Sequence, residues 1–134
     1  MHFNQENTRD LDKFIRNKKS IFLLIYMEGC RPCMEVKPEW SKIENTFKKK
    51  DDQFIIGDIE RQDLPNVHNL NYEVKGFPTI LFLDNGKIET FEDAGFQERK
   101  IDTFMKWINS KYKKLNPKIQ KIKTRKHRKP RKYK

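Results

Sequence analysis

The sequence predicts an α/β domain with a central mixed sheet flanked by helices. Two observations carry that expectation. Short apolar runs at residues 21–26, 54–56 and 79–83 alternate with stretches of helical spacing, the order of a sheet covered on its faces by helices. After the third run, Asp84-Asn85-Gly86 is a strong hairpin signal, so residues 88–91 return antiparallel.

In chain order, Thr8 or Asp10 is placed to cap a first helix with Leu11, Phe14 and Ile15 on its apolar face, and Asn17-Lys18-Lys19-Ser20 ends it. Little strand material precedes that helix. Residues 21–26 (Ile-Phe-Leu-Leu-Ile-Tyr) are apolar throughout, as a strand buried on both faces reads. From Pro32 onward Val36, Trp40, Ile43 and Phe47 recur at helical spacing. Pro38 interrupts them, removing one backbone bond and kinking the helix. Residues 54–56 read as a second buried strand closing at Asp58. Residues 64–72 predict a further helix opening with Pro65, a residue the first turn tolerates. Residues 97–112 predict a last amphipathic helix with Ile101, Phe104, Met105 and Ile108 on its buried face and Trp107 flanking it. Tyr26, Trp40 and Phe47 read as core, Met27 and Met34 as packing, and His68 as a surface residue.

The length of 134 residues suits one domain, and ten Phe, four Tyr and two Trp supply bulky core material. No basic segment followed by an apolar one stands near Met1, so no signal peptide is expected. The longest apolar run, residues 21–27, is too short to cross a bilayer. A soluble intracellular protein is the expectation. The formal charge of +11 is unevenly spread: from Lys111 to Lys134 there are 13 Lys/Arg and no Asp or Glu, whereas residues 1–110 carry a net −2. The chain therefore divides into a domain at 1–112 and a basic C-terminal tail at 113–134, expected to be disordered. Such a tail suits a nuclear-localisation-like signal, a nucleic-acid tether or an anchor to an anionic surface, with nucleus or virion as its setting. A solubilising tail without a specific partner is the plainer alternative.

The two cysteines, Cys30 and Cys33, stand in Cys30-Arg31-Pro32-Cys33 directly after the first apolar run. That order puts Cys30 at a strand end and a helix start, where orphan N–H groups and the positive end of the helix dipole favour an anion such as a thiolate. Arg31 adds to that effect. Glu28 opposes it from an exposed, screened position. Thiol–disulfide exchange, a zinc half-site and an inert structural pair are the three readings of the motif. Zinc asks for four ligands, and only His2, His68 and His127 remain, without ligand spacing, so no metal or other cofactor is expected.

Further marks give the chain a family likeness. Pro38 follows Cys33 by five residues, Gly76-Phe77-Pro78-Thr79 forms a Gly-Phe-Pro-Thr motif, and the Asn85-Gly86 hairpin and Gly95 come after it. With the CxxC at a strand–helix junction, this pattern resembles the thioredoxin superfamily over roughly residues 8–112. Gly-Phe-Pro-Thr and Ile25-Tyr26 lean toward the a-type domains of protein disulfide isomerase.

The resemblance implies a thioredoxin-like fold and a thiol–disulfide oxidoreductase acting on protein thiols and disulfides, recycled by a reductase or oxidase. It makes Cys30 the nucleophile and Cys33 the resolving thiol. Pro78 is implied to be cis beside Cys30, so that an extended substrate pairs along the backbone at Phe77. Arg31 and Pro32 tune the pair, toward a couple more oxidising than thioredoxin's. Gly29 stands where the family has tryptophan, which leaves the rim open to substrate. Leu24 stands where the family carries a buried carboxylate that takes a proton from the second cysteine, and Ile56 near that carboxylate's lysine partner. These two departures support a second reading, a thioredoxin-fold binding module with little turnover, tethered by its tail.

Overall fold

The computed structural model describes residues 1–48 and 53–115. Its strands are β1 (His2–Phe3), β2 (Ile21–Tyr26), β3 (Ile55–Glu60), β4 (Thr79–Asp84) and β5 (Lys87–Thr90), and its helices are α1 (Thr8–Arg16), α2 (Arg31–Thr46) and α3 (Ile101–Leu115). A 3-10 turn, Arg61–Asn66, follows β3. The sheet order is β1-β3-β2-β4-β5. β1 and β2 run parallel to β3, and β4 runs antiparallel to β2 and β5. The sheet is mixed and helix-flanked, as the sequence predicts.

All six side chains of β2 are buried. The two-residue period of a strand sends Phe22, Leu24 and Tyr26 to the side of α2 and α3, and Ile21, Leu23 and Ile25 to the side of α1. Burial of each such side chain is worth about 1.5–3 kcal/mol, so this strand anchors both cores. On the α2/α3 side Phe22 stacks on Phe82 at 4.5 Å and meets Trp107 edge-on at 5.2 Å. Trp107 also meets Phe91 at 5.2 Å and is fully buried. It is a centre of this core and not a flank of the last helix. Tyr26, Trp40 and Phe47 are buried, as expected.

Several boundaries differ from the sequence reading, each for a tertiary reason. β1 was not expected. Phe3 is fully buried and packs on Phe14 at 6.4 Å, and the carbonyl of Met1 accepts the Asp58 N–H at 3.0 Å. β3 continues past Asp58 to Glu60 because Ile59 pairs with Ile25 on one side and Phe3 on the other. α1 is headed by Asn7 instead of Thr8 or Asp10, since the N–H groups of Asn7 and Thr8 both turn back to the Asn4 carbonyl. The helix predicted over residues 64–72 is absent. The 3-10 turn ends at Asn66, and the N–H groups of His68 and Asn69 donate to the Asp12 carboxylate of α1 at 3.0 and 2.7 Å instead of to helical carbonyls. α3 begins at Ile101, whose N–H donates to Glu39 of α2 at 2.8 Å, and runs to Leu115, three residues past the predicted domain boundary. The remainder of the expected basic tail, 116–134, lies outside the described residues.

α2 carries Pro38 in its interior and is held to the sheet beyond it by Trp40, whose Nε1–H donates to the Gly57 carbonyl at 2.9 Å. At Gly57 the chain passes close to Phe3 and the Met1 carbonyl. A Cβ there would stand 2.5 Å from the Phe3 ring and 2.9 Å from the Met1 carbonyl. Gly57→Ala is therefore expected to displace Phe3 and cost about 1–3 kcal/mol, the usual cost of overpacking, while Gly76→Ala, with open space around its Cβ, costs far less. Urea unfolding of the two variants checks this.

Candidate active site

Beyond Tyr26 the chain leaves β2 through Met27, Glu28 and Gly29 into the head of α2. Glu60, only 9% exposed, fixes that turn: one carboxylate oxygen accepts the Glu28 N–H at 2.9 Å and the other the Gln62 N–H at 2.6 Å. The Cys30 N–H donates to the Met27 carbonyl at 3.2 Å. Gly29 has φ +82, is exposed, and has no atom within 4 Å of where a Cβ would lie. The rim beside Cys30 is open there.

Cys30 is the N-cap of α2, with extended backbone (φ −88, ψ 117). Its Sγ accepts the N–H of Cys33 at 3.3 Å, the bond that a capping oxygen ordinarily makes. Pro32 lies in the first turn, where its missing N–H leaves one orphan donor fewer. Arg31 stands exposed at the mouth. Cys33, one turn in, is fully buried among Leu24, Val36 and Trp40. Both thiols are free. Burial first, then its hydrogen-bonding contact with Cys30, pushes the Cys33 thiol up to about 11, and the Met27 backbone and the Arg99 charge pull the other way.

From the far side of the sheet end, the Phe77–Pro78 peptide bond is cis. The Phe77 carbonyl lies 3.8 Å from Cys30 Sγ. Thr79 closes the turn through Oγ1, which donates to the Gly76 carbonyl at 2.6 Å. Cys30, Cys33, Arg31, Pro32, Gly29, Phe77 and Pro78 thus meet at one end of the sheet, at the C-terminal end of β2 and the N-terminal end of β4.

Two functional neighbours were not read from the sequence. Arg99, just before α3, reaches Cys33 with its charge, and its Nε is buried without a hydrogen-bond partner among the described residues. Glu60 shapes the approach to Cys30. Both lie far along the chain, and neither belongs to a local motif. Lys37 sits 4.2 Å over the Tyr26 ring and 3.8 Å from Glu28. Burial, helped by nearby carboxylates, raises the Tyr26 hydroxyl to about 12, so it stays neutral. Met34, read as packing, is 41% exposed. No group of three or more metal-ligating side chains occurs among the described residues.

The family model described as thioredoxin matches residues 2–110 of this chain. The chain belongs to the thioredoxin family. It is similar to human protein disulfide-isomerase A4, with 30% identity over 95 residues, 71% of this chain and 15% of that protein. It is also similar to the thioredoxin of Mycoplasmoides gallisepticum, with 28% identity over 82 residues, 61% of this chain and 77% of that one. Among solved structures it shares its fold with the first thioredoxin domain of mouse protein disulfide-isomerase A4 (TM-score 0.56, 22% identity, covering 81% of this chain and 72% of that chain). Human ERp44 matches with a TM-score of 0.64 at 15% identity, over 82% of this chain and 32% of that chain. The match thus spans a small part of that isomerase and 77% of that thioredoxin's length. At the family level, its CxxC domain is of the thiol–disulfide oxidoreductase type. No helix among the described residues is long and apolar enough to cross a membrane.

Because the Cys33 thiol is raised, its neutral form persists well above the range of an ordinary thiol, about 8.5. In Cys30→Ser, iodoacetamide modification of Cys33 is expected to remain slow at pH 8 and to climb only at higher pH. A midpoint at the ordinary thiol value would show that burial leaves Cys33 unperturbed.

Proposed function

We propose that this chain exchanges disulfides with protein substrates through Cys30 and Cys33. The observation that carries this reading is the asymmetry of the pair: one sulfur caps a helix at an open rim, and the other is buried one turn behind it. In the reductive direction the Cys30 thiolate attacks one sulfur of a substrate disulfide. A Cys30–substrate bond forms, the substrate S–S bond breaks, and the departing thiolate takes a proton from solvent. Cys33 then loses its proton and attacks Cys30 Sγ. The Cys30–Cys33 disulfide forms and the second substrate thiol is released, so two electrons pass from the dithiol to the substrate. Oxidation and isomerisation use the same steps reversed or interrupted, and a reductase or oxidase resets the pair.

The main-chain carbonyl of Phe77 beside Cys30 supports pairing with an extended substrate backbone. Arg31 offers positive charge to the developing thiolates, and Pro32 stiffens the turn between the two cysteines. Deprotonation of Cys33 is the demanding step, because Leu24 supplies no base where a carboxylate would help, and Arg99 acts only through its charge.

Cys30→Ser is expected to abolish insulin reduction and refolding of scrambled ribonuclease, whereas Cys33→Ser keeps Cys30 reactive and accumulates a mixed disulfide visible by mass spectrometry. Equal inactivity of wild type and both variants would favour the binding-module reading, which the loss of the buried carboxylate supports.

Residues 113–134 hold 12 Lys/Arg and no acid, which supports attachment to nucleic acid or another anionic surface. For an attachment neutralising six or more phosphates, DNA affinity is expected to fall by about a thousandfold or more between about 50 and 200 mM salt, with no sequence preference. Binding that persists at high salt would reject the purely electrostatic tether.

A further inference from the structure

β5 is the last strand of the sheet and pairs with β4 alone, so its outer edge is open. Along that edge lies a pocket of about 620 Å³, lined by Phe82, Asp84, Ile88, Glu89, Asp93 and Lys111. Its character is mixed: Phe82 and Ile88 supply apolar surface, and carboxylates supply much of the rest. Lys111 of α3 is already engaged, with Nζ 2.8 Å from Glu89 and 5.5 Å from the centre of the Phe82 ring. Asp84 accepts the Ser20 hydroxyl at 2.7 Å, and Asp93 is exposed. Neither has a cation at ion-pair distance among the described residues. Residues 84–95 carry four acids (Asp84, Glu89, Glu92, Asp93) against one base, Lys87, so negative charge is left over here in a chain of formal charge +11. α3, which supplies Lys111, ends at Leu115, one turn further on and about 6 Å along its axis. The sequence continues Asn116-Pro117-Lys118-Ile119-Gln120-Lys121-Ile122-Lys123. Eight residues reach up to about 26 Å when extended, well beyond the way back to Lys111.

We infer that this pocket is the docking site for residues 118–123 of the same chain. The ammonium groups of Lys118, Lys121 and Lys123 meet Asp84, Glu92 and Asp93, and Ile119 and Ile122 meet Phe82 and Ile88. The occupant follows from where the chain leaves α3 and from charge. A lining that is part apolar and part acidic suits a segment that mixes isoleucine with lysine. A purely apolar segment would leave the carboxylates without partners, and an acidic one would be repelled. Because the segment belongs to the same chain, its effective concentration at the pocket is of mM order, so contacts that are each weak in water suffice to hold it. The seven Lys/Arg from Arg125 to Lys134 stay outside the pocket and available to an anionic partner. The inference depends on neither the exchange reading nor the tether reading.

The test is carbodiimide cross-linking of the full chain at low salt, with the new carboxylate–amine links mapped by mass spectrometry. A link between Glu89 and Lys111, already 2.8 Å apart, reports that the domain is folded. Lys118, Lys121 and Lys123 are expected to couple to Asp84, Glu92 and Asp93 about fivefold or more in excess of the exposed acids Asp10, Glu98 and Asp102. Added salt should remove that excess. The double variant Ile119→Ser, Ile122→Ser keeps every reactive group, and in it the excess should fall toward one. Even coupling to all exposed acids overturns the docking site, and so does an excess that the double variant leaves unchanged. Mixing isotope-labelled with unlabelled chains separates links within a chain from links between two. An excess found only between chains assigns the pocket to a second copy and also overturns the proposal.

Discussion

At the head of α2 a sulfur atom does what a Ser or Asp oxygen does at most helices: Cys30 Sγ accepts the N–H of the residue three positions on. A neutral sulfur is a weak acceptor, but a thiolate in the same place gains a charge-assisted bond and the field of the helix N-terminus. The rest of the domain serves that placement. β2, buried on both faces, is a rigid stem that ends just short of Cys30. Gly29 turns the chain at positive φ, and the buried Glu60 carboxylate holds Glu28 so that the turn does not wander. The same turn of helix that leaves Cys30 at the rim carries Cys33 into the core, so two identical side chains stand in different surroundings from position alone.

The environment of Cys33 is unusual in what it lacks. Leu24, on the neighbouring strand and facing the same core, is buried and apolar. Among the described residues no carboxylate acts on the Cys33 thiol, and burial raises it. The charge that reaches it is the opposite one, the guanidinium of Arg99 at the entry to α3. A cation stabilises the thiolate without taking its proton.

The connection from β3 to β4 shows how a few side chains replace a secondary-structure element. Without a helix, its backbone donors need other partners, and Asp12 supplies two acceptors to consecutive N–H groups while Glu60 supplies one to Gln62. Held at Gln62, His68 and Asn69, the first half of the segment keeps its path without helical hydrogen bonds. Leu64, Leu70, Tyr72 and Val74 of this connection line a groove that Phe77 also borders.

How much was legible in the sequence depended on the range of the interaction. The continuous apolar run of β2, the helical spacing from Val36 to Phe47, the Asn85-Gly86 turn and the cysteine pair with its Gly-Phe-Pro-Thr partner are all local signals, each written within a few residues by sterics or periodicity. From them the mixed sheet, the strand–helix junction and the family follow. The two-residue strand β1, the loss of the helix at residues 64–72, the central place of Trp107, the Arg99 charge at Cys33 and the Asp12 anchor were decided only when distant segments met. Their energies come from contacts between residues dozens of positions apart, where a side chain's partner, and not its own propensity, settles what it does.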